Sequence, residues 1–199
     1  MNISFHGATQ MGEQERKEAA EERGNFVRMT RILLEGLSVC LRAQFLQAYE
    51  DAFSRPFTES LGNSFWSALP GKTQQVLNDH KPPPHVSEAQ RKVRSGQVES
   101  WDNTILRAVL CYGPCSQPFQ STMGASPHAV LAPITESRNQ LFAHAANVRL
   151  PEGVLNTQVT TLRPVLLGLF QRLRPNYRPF RDCHDFFSTI LKGLVKMKS

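Results

Sequence analysis

The stretch "NFVRMTRILLEGLSVCLRAQFLQAYEDAF", residues 25–53, decides the fold class. Its apolar side chains recur every three to four positions, which is the spacing of one face of an α-helix. They are Phe26, Met29, Leu33, Leu37, Leu41, Phe45 and Leu46. Asn25 stands just before them and belongs to a residue type that favours the N-cap position. We therefore predict a long amphipathic helix that begins after Asn25 and packs a wide apolar face into a core.

The segments on either side of this helix have a different character. Residues 1–24 contain "EQERKEAAEER", whose charges of both signs lie at helical spacing, and we predict a charged N-terminal lead-in helix there. Residues 54–100 form an irregular, proline-rich insert, because Pro56, Pro70 and "KPPPH" (81–85) interrupt any long helix. Two short helices fit between these prolines, Ser87 is a candidate cap for a third, and 79–98 is expected to be the most mobile segment.

The remainder of the chain alternates helical patterns with breaks. Predicted helices cover 101–112, 128–147 with Pro133 near its start, 151–173, and the segment that follows "RPNYRP"; a loop is predicted at 114–127. No strand-like alternation of any length and no internal repeat is found. The fold class is therefore all-α, a helical bundle in which 25–199 form a single domain.

Composition narrows the classes of protein that fit. A hydrophobic content of 40% with 20% charged residues is that of a globular domain. No apolar run is long enough to span a bilayer, and the acid-rich start lacks the apolar core of a signal peptide. We therefore expect no membrane partner and an intracellular location, cytoplasmic or nuclear. The net charge of +6 and the pI of about 9.4 permit a polyanionic partner without requiring one.

The cysteines give no sign of a metal or a cofactor. There are four, and in a reducing compartment they are expected to stay as thiols. Cys111 and Cys115 are separated by three residues, which is not the spacing of a zinc knuckle, and no second pair follows. Half-buried or buried thiols are the expected state.

The stretch "ESRNQLFAHAANVRL" (136–150) holds the candidate site residues Arg138, Asn139 and His144. Six residues of an α-helix advance about 9 Å and rotate about 240°, so Arg138 and His144 lie on different faces. Ile134, Leu141 and Val148, a heptad apart, are predicted to face inward. Two interpretations remain open. The arginine and histidine complete a site across a symmetry axis between two copies, or they are a salt-bridge partner and a half-buried imidazole that stabilise the bundle.

This stretch resembles the Arg-x4–6-His motif of the HEPN superfamily. The surrounding segments strengthen the resemblance, which extends over roughly 25–173. "NFVRMTRILLEGLSVCLRAQF" is similar to the first long helix of the sub-type found in the DAZ-interacting ubiquitin ligase, and "WDNTIL" (101–106) is similar to a segment that follows a variable middle region. A loop, the "RN....H" helix and a closing helix then occur in the family's order.

The resemblance implies a small α-helical bundle that dimerises or binds another protein, with RNA as a further partner. Active HEPN members are endoribonucleases that need no metal. By this resemblance His144 is the general acid or base at the ribose 2′-hydroxyl or the leaving oxygen, and Arg138 stabilises the charged phosphorane. Asn139 orients the phosphate or the histidine. The expected function is thus an interaction module, and the alternative is a metal-independent endoribonuclease with catalytic residues Arg138, Asn139 and His144.

Overall fold

A computed structural model describes residues 6–78, 86–144 and 148–174, with the backbone alone for 6–11 and His144. These residues are helical and include no strand, which confirms the all-α class. The α-helices are α1 (His6–Arg31), α2 (Leu37–Phe53), α3 (Gly62–Ala68), α4 (Gly71–Leu77), α5 (Glu88–Ser95), α6 (Asn103–Tyr112), α7 (Ser116–Met123), α8 (Pro127–His144) and α9 (Glu152–Gln171). Short 3-10 turns occur at Glu59–Leu61 and Val98–Ser100. In the part of the chain described here, no helix is long and apolar enough to cross a membrane.

A π-helical turn, Ile32–Gly36, joins α1 to α2 without leaving helical backbone geometry. The predicted apolar positions from Met29 to Phe45 are spaced by four, and each such step overshoots a full α-helical turn by about 40°. An uninterrupted α-helix would therefore wind these side chains away from the core. A π turn is closed by i→i+5 hydrogen bonds and contains more residues than an α turn. It therefore reduces the angle by which these side chains wind away from the core. Leu33 and Leu37 are buried as a result, while Leu34 is 57% exposed.

The prediction that Asn25 caps this helix is wrong, because α1 runs through it from His6 to Arg31. Asn25 is 1% exposed, and its side-chain amide donates to the backbone carbonyl of Leu150 at 3.2 Å. The Leu150 amide in turn donates to the carbonyl of Glu22 at 3.0 Å. Asn25 thus fastens the segment before α9 to α1, and the predicted division between residues 1–24 and 25–199 falls inside one helix.

An aromatic cluster joins α2 to the proline-rich insert and to Trp101, two residues before α6. The ring centroid of Trp101 lies 4.9 Å from that of Phe45, 5.7 Å from that of Phe57 and 6.0 Å from that of Phe65, on which it stacks. The Trp101 indole also donates to the carbonyl of Lys92 at 2.9 Å. The insert therefore packs on the core through aromatic residues, although prolines interrupt its sequence.

The helices predicted within the insert are confirmed as α3 and α4. Ser87 is also confirmed as a cap, since its hydroxyl accepts from the Gln90 amide at 3.0 Å. Of the segment expected to be mobile, residues 79–85 lie outside the described part of the chain. Residues 88–95 form α5, which packs closely on α3 where the backbones of Gly62 and Gly96 meet.

The prediction of a loop at 114–127 is wrong, because Ser116–Met123 form α7. Phe119 and Met123 are one helical turn apart and both are buried, so a short apolar face overrides the loop-like composition. Gly124, with φ of +69°, ends the helix in the left-handed conformation. Pro133 lies inside α8 rather than near its start. The helix predicted after "RPNYRP" lies outside the described residues.

Candidate functional site

Helix α8 carries the predicted site residues and packs through the predicted inward face only in part. Ile134 and Leu141 are buried, as predicted. Val148 is not: it lies beyond the end of α8, has a positive φ of 50° and is 45% exposed. The heptad spacing fails there because the residue is no longer on the helix.

Arg138 lies at the surface, between α8 and α6. Its Nη1 atom donates to the Thr104 hydroxyl at 3.2 Å, and its guanidinium carbon lies 5.5 Å from the centroid of the Phe142 ring. A cation–π contact of this kind at an exposed position contributes about 0.5–1 kcal/mol. Among the described residues, Arg138 forms no ion pair with a carboxylate. Contacts with Thr104 and Phe142 thus hold the guanidinium in place, and no described carboxylate neutralises its charge.

Asn139 is also exposed, next to Arg138 on α8. His144 is the last residue of the helix, and its side chain lies outside the described atoms. The structure therefore places Arg138 and Asn139 together at the surface, and the position of the imidazole relative to them stays a prediction.

A narrow cleft opens beside Arg138, where α6 and α8 face the π turn. Leucines from the α1–α2 region and Ile134 form its floor, and polar side chains from α6 and α8 form its rim. The lining residues are Leu33, Leu34, Leu37, Leu41, Asn103, Arg107, Ile134, Thr135 and Arg138. Its water-accessible space is about 30 Å³. A space of this size holds no more than a few water molecules, so the cleft is a narrow contact surface.

Arg107, on α6, is a second arginine at this cleft that the sequence analysis did not single out. Its Nε atom is buried without a hydrogen-bond partner, and no described carboxylate pairs with it. The signal was present in the sequence: Arg107 is the one charged residue of "NTILRAVLCY", the α6 helix. Two arginines that have no acidic partner among the described residues therefore border one apolar cleft.

Asn103, the first residue of α6, holds the π turn in place. Its amide nitrogen donates to the Leu33 carbonyl at 2.6 Å, and its oxygen accepts from the Ser38 hydroxyl at 2.7 Å. Asp102 caps the same helix by accepting from the amides of Thr104 and Ile105 at 2.8 and 3.0 Å. The segment "WDNTIL" thus positions both the π turn and Arg107. π turns inside α-helices are frequent at functional sites.

Four exposed apolar side chains lie on α1, on the π turn, on α8 and just after α8, and we call them the Leu34 surface: Val27, Leu34, Phe142 and Val148. They are 61%, 57%, 59% and 45% exposed, respectively. One open groove on α1 is lined by Val27, Leu34 and Val148. Leu34 also lines the cleft beside Arg138. The Arg138 guanidinium in turn contacts Phe142. The Leu34 surface is therefore contiguous with the two arginines.

The thiols near this region are poor nucleophiles. Burial raises the pKa of the Cys115 thiol to about 12. Burial also raises the pKa of Cys111, against the opposing effect of the Arg107 charge. Thiolate is the reactive and metal-binding form of cysteine. Within 12–78, 86–143 and 148–174, no group of three His, Cys, Asp or Glu side chains is arranged to hold a metal ion.

The stability of an Arg138 variant separates a surface role from a structural one. Because Arg138 is exposed, Arg138→Ala should lower the free energy of unfolding by no more than about 1 kcal/mol, the size of its cation–π contact. Leu141→Ala, on the buried side of the same helix, serves as the positive control and should lower it by about 2 kcal/mol or more. Urea denaturation followed by circular dichroism measures both. An Arg138 variant that unfolds as early as Leu141→Ala would show that the arginine stabilises the bundle.

The site thus consists of an arginine pair, an apolar cleft and an exposed apolar surface, all positioned by α1, the π turn, α6 and α8. Comparison of the chain with protein-family models, curated proteins and solved structures gives no match.

Proposed function

We propose that the chain is an intracellular HEPN-like helical module that works by binding protein, as a dimer or with another polypeptide. The observation that carries the proposal is the Leu34 surface. Contiguous exposed apolar side chains with a polar border mark interaction sites on soluble domains. Covering a leucine side chain fully contributes about 1.5–3 kcal/mol to association. The order of HEPN-like segments along the chain supports the same function.

The π turn adds to this argument because it keeps Leu34 outward beside the buried Leu33. A helix whose only task is packing gains nothing from an exposed leucine held by a rare turn. Here the Asn103 amide donates to the Leu33 carbonyl, and the single proton of the Ser38 hydroxyl is shared between the Leu34 carbonyl and the Asn103 side-chain oxygen. A surface built in this way is suited to recognition.

Photo-crosslinking from position 34 tests the proposal. A benzophenone side chain in place of Leu34 should form adducts with a polypeptide in cells or with a second copy of the purified chain. The same group in place of Lys17, an exposed residue on the charged part of α1, is the matched control and should form far fewer. Sedimentation velocity of the purified chain and of Leu34→Glu shows whether the adduct is a second copy. A monomer without adducts specific to position 34 would contradict the proposal.

An endoribonuclease is the second candidate, and the exposure of Arg138 and Asn139 favours it. A guanidinium without a carboxylate partner is free to pair with phosphate oxygens. In this function Arg138 stabilises the charge on the phosphorane, and His144 transfers the proton at the 2′-hydroxyl or the leaving oxygen. Asn139 orients the phosphate.

The cleavage assay uses labelled single-stranded RNA in buffer with EDTA. If the chain is this enzyme, His144→Ala should reduce the cleavage rate about 100-fold or more, since general acid–base catalysis contributes factors of that size. Arg138→Ala should reduce it as well, and Arg55→Ala, at an exposed arginine after α2, should not. Absence of cleavage, or equal cleavage by wild type and His144→Ala, rules the enzyme out.

A further inference from the structure

We propose that the Leu34 surface and its cleft bind an acidic amphipathic helical segment of a different protein. The inference rests on the proposed protein-binding function and names the chemistry of the partner. Its two elements are the apolar floor of the cleft and the arginines at its border, Arg107 and Arg138.

The uncompensated charge at this surface is positive. Neither Arg107 nor Arg138 forms an ion pair with a carboxylate among the described residues, and the Nε atom of Arg107 is buried with no acceptor. The neighbouring charged groups already have partners: Arg31 forms an ion pair with Glu35 at 2.8 Å, and Arg28 donates a hydrogen bond to the Asn25 side chain. A partner that brings carboxylates to this border gains charge-assisted hydrogen bonds, which arginine makes in bidentate form.

The floor of the cleft selects an apolar side chain rather than a nucleotide. Leucines and an isoleucine form its floor, and its lining residues include no aromatic ring on which a base could stack. Three of the four side chains in the Leu34 surface are aliphatic, whereas single-stranded nucleic acids are bound by basic grooves with aromatic stacking platforms. A helix that lays apolar residues into a groove and acidic residues along its border matches both features.

Charge also argues against two other occupants. In a symmetric dimer the same patch meets itself, so Arg107 and Arg138 would approach their own copies, and the whole chain carries a net charge of +6. Residues 175–199 contain five Lys and Arg against two Asp, which makes that segment basic as well. A second copy and residues 175–199 are both basic. An acidic partner therefore supplies carboxylates to Arg107 and Arg138 more readily than either of them.

Peptide selection on the full-length chain tests the proposal. A displayed library of random peptides of about 20 residues, long enough for several helical turns, is selected on the immobilised protein. We expect enrichment of sequences with Leu, Ile or Phe at helical spacing and Asp or Glu beside them. In fluorescence anisotropy, Leu34→Ser, Arg107→Gln and Arg138→Gln should each weaken binding of an enriched peptide about 10-fold, the loss that follows from one charge-assisted bond or one buried leucine. Arg55→Gln, at an exposed arginine beyond the end of α2, should leave binding unchanged.

The remaining outcomes distinguish this inference from the proposed function. Failure to enrich acidic peptides, or binding that the three substitutions leave unchanged, overturns the inference. Self-association of the wild-type chain that is lost in Leu34→Glu identifies a second copy as the occupant; this overturns the inference and supports the proposed function. Binding of labelled single-stranded RNA that needs both arginines and tolerates Leu34→Ser assigns the surface to RNA and overturns both.

Discussion

Trp101→Ala should lower the free energy of unfolding by about 3–5 kcal/mol, the range observed when a buried aromatic side chain is removed. Trp101 is 0% exposed and contacts the rings of Phe45, Phe57 and Phe65. Its removal leaves a cavity between α2 and the insert, and it leaves the Lys92 carbonyl without its indole donor. Urea denaturation followed by circular dichroism and by tryptophan fluorescence from Trp66 measures the effect.

Phe53→Ala is the matched control for this prediction. Phe53 is also aromatic, but it is 37% exposed. Among the described aromatic rings, its ring contacts only that of Tyr49. Its removal should lower the free energy of unfolding by about 0.5–1.5 kcal/mol, the contribution of one aromatic pair. Equal losses for the two variants would show that the cluster around Trp101 does not hold the insert to α2.

Gly96→Ala should lower the free energy of unfolding by about 2–5 kcal/mol. The residue has φ of +71°, where an L side chain is strained by about 1–2 kcal/mol. A Cβ atom would also overlap the backbone of Glu59, and such overpacking costs about 1–3 kcal/mol more. The turn at Glu59–Leu61 would have to move away from the end of α5, so the variant should show reduced thermal stability in calorimetry.

Gly124 offers a control that separates the two causes. Its φ of +69° is nearly the same, but nothing lies within 4 Å of the position that a Cβ would occupy. Gly124→Ala should therefore show the backbone strain alone, about 1–2 kcal/mol. If the two alanine variants are equally destabilised, the close contact between Gly96 and the Glu59 backbone contributes nothing.

The periodicity of apolar residues was sufficient to predict most helices. Spacings of three and four identified the helix that contains Leu33, Leu37 and Phe45, and the buried face of α8 through Ile134 and Leu141. It failed for α7, because that helix has only two turns and lies among residues typical of loops. It also could not show that Asn25 is a buried interior residue, since its partner, the Leu150 carbonyl, is distant in sequence.

The candidate site was predicted only in part, for a similar reason. Arg138 and Asn139 were singled out because they are polar on an otherwise apolar helix, and both are exposed. Arg107 was not singled out, because its position near Arg138 depends on the packing of α6 against α8. The outward position of Leu34 depends on the π turn; the spacing of apolar residues by four favours such a turn but does not fix its place along the helix. Sequence alone therefore indicated the residues of α8 but not the surface to which they belong.

The π turn also makes the number of residues between α1 and α2 as important as their identity. Each residue of an α-helix turns the chain by about 100°. If one residue were lost from Ile32–Gly36 and the turn became regular α-helix, all of α1 would rotate about its axis by roughly this angle relative to α2. Asn25 would then point away from Leu150, and Leu34 would change sides. We therefore expect this chain to tolerate conservative replacements in that turn far better than deletions or insertions of a single residue.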